Sequence, residues 1–246
     1  MSRLAEKVAL VTGGSRGIGA AIAKRLAADG ASVAITYAKD AKAASAVVKA
    51  IEVEGRKALA IQADAADVAA VESAIERTVA TFGRLDVLVN NAGTAFPKTF
   101  EQTTLEEMDR VIDINVRGAM IATQAALRHM KSGGRIIMVG SAVGERVLTP
   151  GLVAYSGTKG AVKMFAQALS REVGSRGITV NNVQPGPIDT DLNPASGDWA
   201  VPQKAATALE RYGHVDEVAA LVAFVAGPES SYITGANLTV DGGMNA

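Results

Sequence analysis

Val8-Ala9-Leu10-Val11-Thr12-Gly13-Gly14-Ser15-Arg16-Gly17-Ile18-Gly19 is an apolar run that breaks into a glycine-rich turn close to the start of the chain. The run reads as a strand buried on both faces, and the turn as the lead into a helix. Missing side chains at Gly13, Gly17 and Gly19 let the backbone turn tightly and approach a pyrophosphate, which a helix N-terminus then stabilises. The spacing is Gly-x-x-x-Gly-x-Gly, not the general Gly-x-Gly-x-x-Gly, so the turn alone is weak evidence. Its place directly after an apolar strand strengthens it.

Outward from this turn, short β-branched runs alternate with helix-length amphipathic stretches. The expected strands are Val8–Thr12, Val33–Tyr37, Lys57–Gln62, Asp86–Asn90, Arg135–Gly140, Thr179–Gln184 and Leu238–Val240. Val68, Val71, Ile75, Val79 and Phe82 repeat at helical spacing behind a capping Asp67. Residues 104–131 and 152–175 read as longer helical stretches, and Val215–Ala226 as another. This alternation predicts an α/β fold, a parallel sheet covered on both faces. The one compositional break, Pro185–Pro202, is rich in Pro and Gly and reads as a loop with a functional purpose. Trp199 lies in it, either as part of a lid or as an anchor for the loop.

Composition narrows the function classes. The chain has 246 residues, 48% of them hydrophobic, enough for a full α/β core. Its 25 basic and 25 acidic residues cancel, with no basic run to mark nucleic acid or an anionic membrane as partner. No cysteine is present, which excludes disulfides, thiol catalysis and thiolate metal sites. His129 and His214 are the only histidines and lack ligand spacing, so both read as surface or packing residues and no metal is expected. No signal-peptide pattern and no bilayer-spanning apolar stretch is seen, and the expectation is a soluble, cytoplasmic protein.

The second strand supplies a cofactor preference. An NAD site usually offers an acidic residue to the ribose 2′-hydroxyl about twenty residues past the glycine turn. Here that slot, near Tyr37, carries no carboxylate, while Arg16 and Lys39 can pair with a 2′-phosphate. NADP is therefore expected over NAD. Asp40 is the competitor, since a small loop shift brings it inward, and Arg16 and Lys39 also read simply as solvated charges.

Tyr155 and Lys159 share one helix face in Tyr-Ser-Gly-Thr-Lys, fourteen residues after Ser141. A free phenol with a pKa of about 10 is a poor acid–base group at neutral pH. An ammonium nearby favours the phenolate and is expected to lower that value. With a nucleotide turn upstream, the pair points to a carbonyl reductase. On a helix without such company, the same spacing reads as a packing Tyr and a solvated Lys.

With these residues assembled, the chain resembles the short-chain dehydrogenase/reductase family from Thr12 to Gly243. The glycine turn, Asn90-Asn91-Ala92-Gly93, Asn115 in Asp-Ile-Asn-Val, Ser141, Tyr155 with Lys159, Pro185-Gly186 and Thr239-Val240-Asp241-Gly242-Gly243 carry it in order. The resemblance implies one Rossmann-type, doubly wound domain over residues 1–246, with seven parallel strands in the order 3-2-1-4-5-6-7 and a lid at about 187–205. It implies that Ser15, Ile18 and the turn glycines hold the cofactor, with Tyr37, Lys39 and Arg16 at its adenosine end. Asp64 would accept from the adenine amino group, with the Ala65 backbone beside it; Asp64 also reads as a cap on the next helix. Asn91, Ala92 and Gly93 would pass close to the adenine ribose, Asn90 holding neighbouring strands instead. Pro185, Gly186, Ile188 and Thr190 would wall the nicotinamide. Ser141 would bind the substrate carbonyl, Tyr155 protonate it, Lys159 reach the nicotinamide ribose, and Asn115 hold a water that starts a proton relay.

Within the family the chain looks closest to bacterial 3-oxoacyl-carrier-protein reductases and their relatives acting on free ketones. The basic patch expected of a carrier-protein reductase is thin here, in Met130-Lys131-Ser132-Gly133-Gly134-Arg135 with Arg176. A small ketone or secondary alcohol is the expected substrate, with the acyl-carrier thioester as the alternative. A non-catalytic nucleotide-binding regulator on the same fold is the second alternative. The resemblance also implies a homotetramer with 104–131 and 152–175 at one interface; Met164, Phe165 and Leu169, on the helix after Lys159, read as core or subunit interface, not substrate wall.

Overall fold

The computed structural model describes residues 3–246. Seven strands, β1 (Val8–Val11), β2 (Ser32–Tyr37), β3 (Ala58–Gln62), β4 (Val87–Asn90), β5 (Arg135–Val139), β6 (Thr179–Pro185) and β7 (Asn237–Val240), form one sheet. Their order is β3-β2-β1-β4-β5-β6-β7, the doubly wound arrangement expected. Every pairing is parallel. Each strand begins and ends within one residue of its expected bounds.

Parallel strands need helical crossovers, and those helices bury both sheet faces. Ala9, Val11, Val33, Ile35, Val89 and Ile137 belong to one core, with α1 (Gly17–Ala28), α2 (Ala41–Val53) and α8 (Val215–Ala226) on that face. Leu10, Ala34, Leu88, Ile136 and Met138 point the other way, under α3 (Val68–Phe82), α5 (Gly118–Leu127) and α6 (Val153–Val173). Phe165 and Leu169 join this second core, whereas Met164 faces outward. The helix ends obey local chemistry. Asp40 and Asp67 accept from Ala43 N–H (2.8 Å) and Ala70 N–H (3.1 Å) at the starts of α2 and α3. Thr104 and Glu107 form a reciprocal capping box on α4 (Leu105–Ile112).

Residues 104–131, expected as one helical stretch, contain a defect. α4 and α5 are joined by a π-helical turn, Asp113–Arg117, with Asn115 buried in it. Such turns recur at functional sites because the extra residue re-aims a side chain within a continuous helix. Directly after it, Gly118 lies against β3's exit: a Cβ there would stand 2.2 Å from the Ala65 carbonyl oxygen. The region expected as loop and lid contains a short helix, α7 (Ala200–Ala205). Pro202 is accommodated within its first turn, where no i−4 carbonyl bond is lost.

The chain leaves β1 toward β2 and returns to β4 on the other side, so connections diverge there and a crevice opens at the strands' carboxyl ends. Gly118→Ala would force α5 away from the Ala65 backbone. By analogy with overpacked cores it is expected to cost about 1–3 kcal/mol, roughly 2–10 °C in Tm, by thermal unfolding.

Candidate active site

The crevice is a cleft of about 1150 Å³. Ser141, Tyr155, Lys159 and every residue assigned above to cofactor binding line it; Asn115 is buried beneath its floor.

The turn after β1 is braced from three sides. Gly13 N–H donates to Thr36 Oγ1 (3.0 Å), and the Asn91 side chain donates to the carbonyls of Thr12 (2.9 Å) and Gly13 (3.1 Å). Thr12 Oγ1 accepts from the N–H groups of Asn91 and Ala92, both at 3.0 Å. Gly13 (φ +64°) and Gly17 (φ +53°) take left-handed backbone that disfavours any side chain. At Gly19 a Cβ would meet the Gly13 carbonyl oxygen at 2.3 Å. The glycines thus make the close approach possible, and Asn91 fixes it. Asn90 donates to Thr123 Oγ1 (3.0 Å) and sits against Met138, the strand-holding role expected.

At the β2–β3 end, Asp40 lines the cleft while its Oδ1 is engaged as the α2 cap. Lys39 forms no ion pair among the described residues, and Arg16 meets Asp191 of the lid at 3.6 Å with both groups well exposed. Asp64 accepts from Arg110 Nη2 (2.8 Å) and from Ala66 N–H (3.0 Å). Burial pushes its carboxyl up, but Arg110 and the Ala66 amide outweigh that and hold it below its ordinary value. The cap of α3 is Asp67, so Asp64 is not the cap; it turns the chain ahead of that helix and lines the cleft. Arg110 was missed from sequence. It belongs to no motif, and only the fold brings α4 beside β3.

At the other end, α6 presents Tyr155 and Lys159 to the exit of β5. The Ser141 hydroxyl stands beside Tyr155, close enough to favour its phenolate, and accepts from the Val143 N–H (3.4 Å). Lys159 is 5% exposed, donates to the Val139 carbonyl (2.8 Å), and places its Nζ 5.6 Å from the Tyr155 ring centre. Burial drives the ammonium pKa from 10.5 to about 8. The expectation that Lys159 lowers the Tyr155 pKa is corrected. Burial pushes the phenol above 10, only partly offset by Ser141. A protonated phenol is the form that donates.

Asn115 is anchored on both sides by protein groups. Its Nδ2 donates to the Thr94 carbonyl (2.9 Å) and to Thr158 Oγ1 (3.0 Å), and its Oδ1 accepts from Thr94 N–H (2.8 Å). Both amide hydrogens are therefore committed to protein, and the side chain pins the segment after β4 to α6. Several supports carried no sequence signal. A Cβ at Gly144 would stand 2.9 Å from the Lys159 backbone, so only glycine lets the turn after Ser141 rest on α6. Asn245, near the C-terminus, donates to the Ala142 carbonyl of that turn (2.9 Å).

A family model described as Enoyl-(Acyl carrier protein) reductase matches residues 13–245. The chain belongs to the short-chain dehydrogenase/reductase family. Among solved members of this reductase family, a short chain dehydrogenase from Burkholderia cenocepacia in complex with NADP is 55% identical, with TM-score 0.98 over 99% of this chain and 100% of that one. An uncharacterized oxidoreductase of Methylorubrum extorquens is 44% identical over 99% of this chain and all of its own. The cyclic-di-GMP-binding biofilm dispersal mediator protein of Escherichia coli is 41% identical over the full length of both.

Lys159 makes a prediction with a definite sign. Between pH 8 and 10.5 the unfolded lysine binds a proton that the folded one has lost, so this group's contribution to stability rises with pH there. Lys159→Met removes the burden of the buried charge. Its stability relative to wild type, from urea unfolding without added nucleotide, should be most favourable below pH 8 and fall by about 3 kcal/mol by pH 10.5.

Proposed function

We propose that this protein is an NADPH-dependent reductase interconverting a ketone and a secondary alcohol, with Tyr155 as proton donor. The observation that carries it is Ser141 and Tyr155 side by side on the wall of a nucleotide-sized cleft, with the buried Lys159 ammonium against the Tyr155 ring. The glycine cradle at Gly13, Gly17 and Gly19, which side chains would fill, fits a pyrophosphate. Ser15, Ile18, Tyr37, Asp64, Ala65, Asn91, Ala92 and Gly93 would complete the adenosine and ribose contacts, and Pro185, Gly186, Ile188 and Thr190 the nicotinamide wall. When bound, the dinucleotide supplies a hydride.

Ser141 orients the substrate oxygen by donating a hydrogen bond. As a hydride arrives at the carbonyl carbon, the C=O π pair moves to oxygen and Tyr155 supplies the proton. Lys159 steadies the resulting phenolate, and Asn115 keeps α6 and the Thr94 segment in register. The Lys39 and Arg16 charges, with Asp40 committed to capping α2, support NADPH over NADH. The carrier-protein alternative loses support from the fate of its basic patch. Arg135 is buried, donating to the Gly133 and Gly134 carbonyls, and Arg176 is spent on the carbonyls of Leu127 (2.8 Å) and Met130 (3.2 Å). The regulator alternative gains from the Escherichia coli relative's name, but a binder has no use for the paired hydroxyls. Exposed Ile112, Met120 and Met164 on α4, α5 and α6 support a homotetramer through that face, and a cytoplasmic location completes the reading.

NADPH oxidation against a ketone panel tests the proposal. Tyr155→Phe should lose ~10²–10⁴ in kcat while still binding NADPH. Binding without turnover across the panel, with tight cyclic-di-GMP binding, would favour the regulator. Separately, Arg16→Ala with Lys39→Ala should lower kcat/KM for NADPH by about 10–100-fold, from lost charge-assisted bonds, and leave NADH little changed.

A further inference from the structure

The two ends of the cleft are built from different chemistry. The β2–β3 end is charged, with Arg16, Lys39, Asp64 and Arg110. Elsewhere the lining includes apolar Ala95, Pro97, Leu148, Leu152, Trp199 and Met244 among neutral polar groups such as Gln102 and Thr149. Leu148 and Trp199 keep 38% and 51% of their surface exposed while lining the cleft. Apolar surface left open in a concave site marks where a ligand's apolar body goes.

The ionised groups near this end are already engaged. Lys98 pairs with Glu107 (2.6 Å), Asp191 with Arg16 (3.6 Å), and Lys159 donates to Val139. Of the cations lining this end, only Lys159 lacks a carboxylate partner, and it is 5% exposed with its Nζ turned to the Val139 carbonyl, so it is not open to receive a carboxylate or phosphate on the substrate's body. A charged group entering this end would be desolvated without a partner, which is strongly unfavourable.

The walls are also fixed in advance. Lys98 N–H donates to the Gly151 carbonyl (3.1 Å), joining the loop after β4 to the loop before α6. Trp199 leads into α7, and its carbonyl accepts from Gln203 N–H (3.1 Å). Gln203 in turn is locked to Asn193 (2.8 Å) and to the Tyr212 hydroxyl (3.1 Å), so the two limbs of the lid are fastened to each other. A preformed wall loses little entropy on binding.

We propose that the substrate is a neutral ketone carrying an aryl body that packs against Trp199, and that ketones bearing a carboxylate are rejected. This rests on the reductase reading and narrows its substrate class. Trp199 is the only tryptophan in the chain, so its emission reports the site directly. The NADP⁺-loaded protein would be titrated with methyl benzoylformate and with benzoylformate, which differ in charge on one skeleton. Saturable quenching by the ester is expected, with the acid binding ~10²-fold more weakly because its charge is unpaired. In turnover, Trp199→Leu should lower the ester-to-butanedione ratio of kcat/KM by about 10-fold, and Trp199→Phe should restore most of it. Equal or tighter binding of the acid, or an unchanged ratio in Trp199→Leu, overturns the proposal. Saturable ester binding without any ketone turnover would instead count against the reductase reading while upholding the neutral aryl site.

Discussion

An ammonium held almost out of water with one carbonyl as its protein partner is the constraint around which this fold is arranged. Lys159 Nζ on the Val139 carbonyl ties α6 to the end of β5. Its backbone is the surface on which the Gly144 turn rests, so the same residue sets where Ser141 stands. Gly93, after β4, lies close enough that an added Cβ would be 3.7 Å from the amine. Two strand exits, those of β4 and β5, therefore converge on one lysine. Without an acidic neighbour, burial lowers its pKa to about 8, and that cost is sustained by the packing of the rest of the sheet.

The π turn around Asn115 is a second local expense with a local return. A regular helix from Leu105 to Leu127 would carry Asn115 in a different direction. The extra residue lets one side chain hold the Thr94 backbone and Thr158 together, and Thr158 is the residue before Lys159. Asn115 is in this light a positioning residue, and its influence reaches the chemistry through α6.

The sheet was legible because its strands are near-continuous apolar runs, a pattern that both-face burial imposes on parallel strands. The glycine turn and the Tyr155–Lys159 pair were legible because local spacing sets their geometry. Less was visible wherever a side chain's meaning depends on what the fold brings opposite it. Arg110 meets Asp64 across 46 positions of sequence, and Asn245 meets Ala142 across 103. The direction of the Tyr155 shift was misread for a related reason. Proximity of a lysine is readable at four-residue spacing, but the burial that outweighs it belongs to the assembled cleft. Asp40 shows the opposite case, since its capping of α2 follows from local sequence yet was passed over in favour of a ligand role.

The most direct test of the account is whether a proton from Tyr155 moves as the hydride does. Single-turnover oxidation of bound NADPH by an aryl ketone would be followed in H₂O and in D₂O, for wild type and Tyr155→Phe. The account predicts a slower step in D₂O for wild type, and a much slower residual reaction in the variant without that sensitivity. Equal wild-type rates in the two solvents, or a variant as fast as wild type, would contradict it.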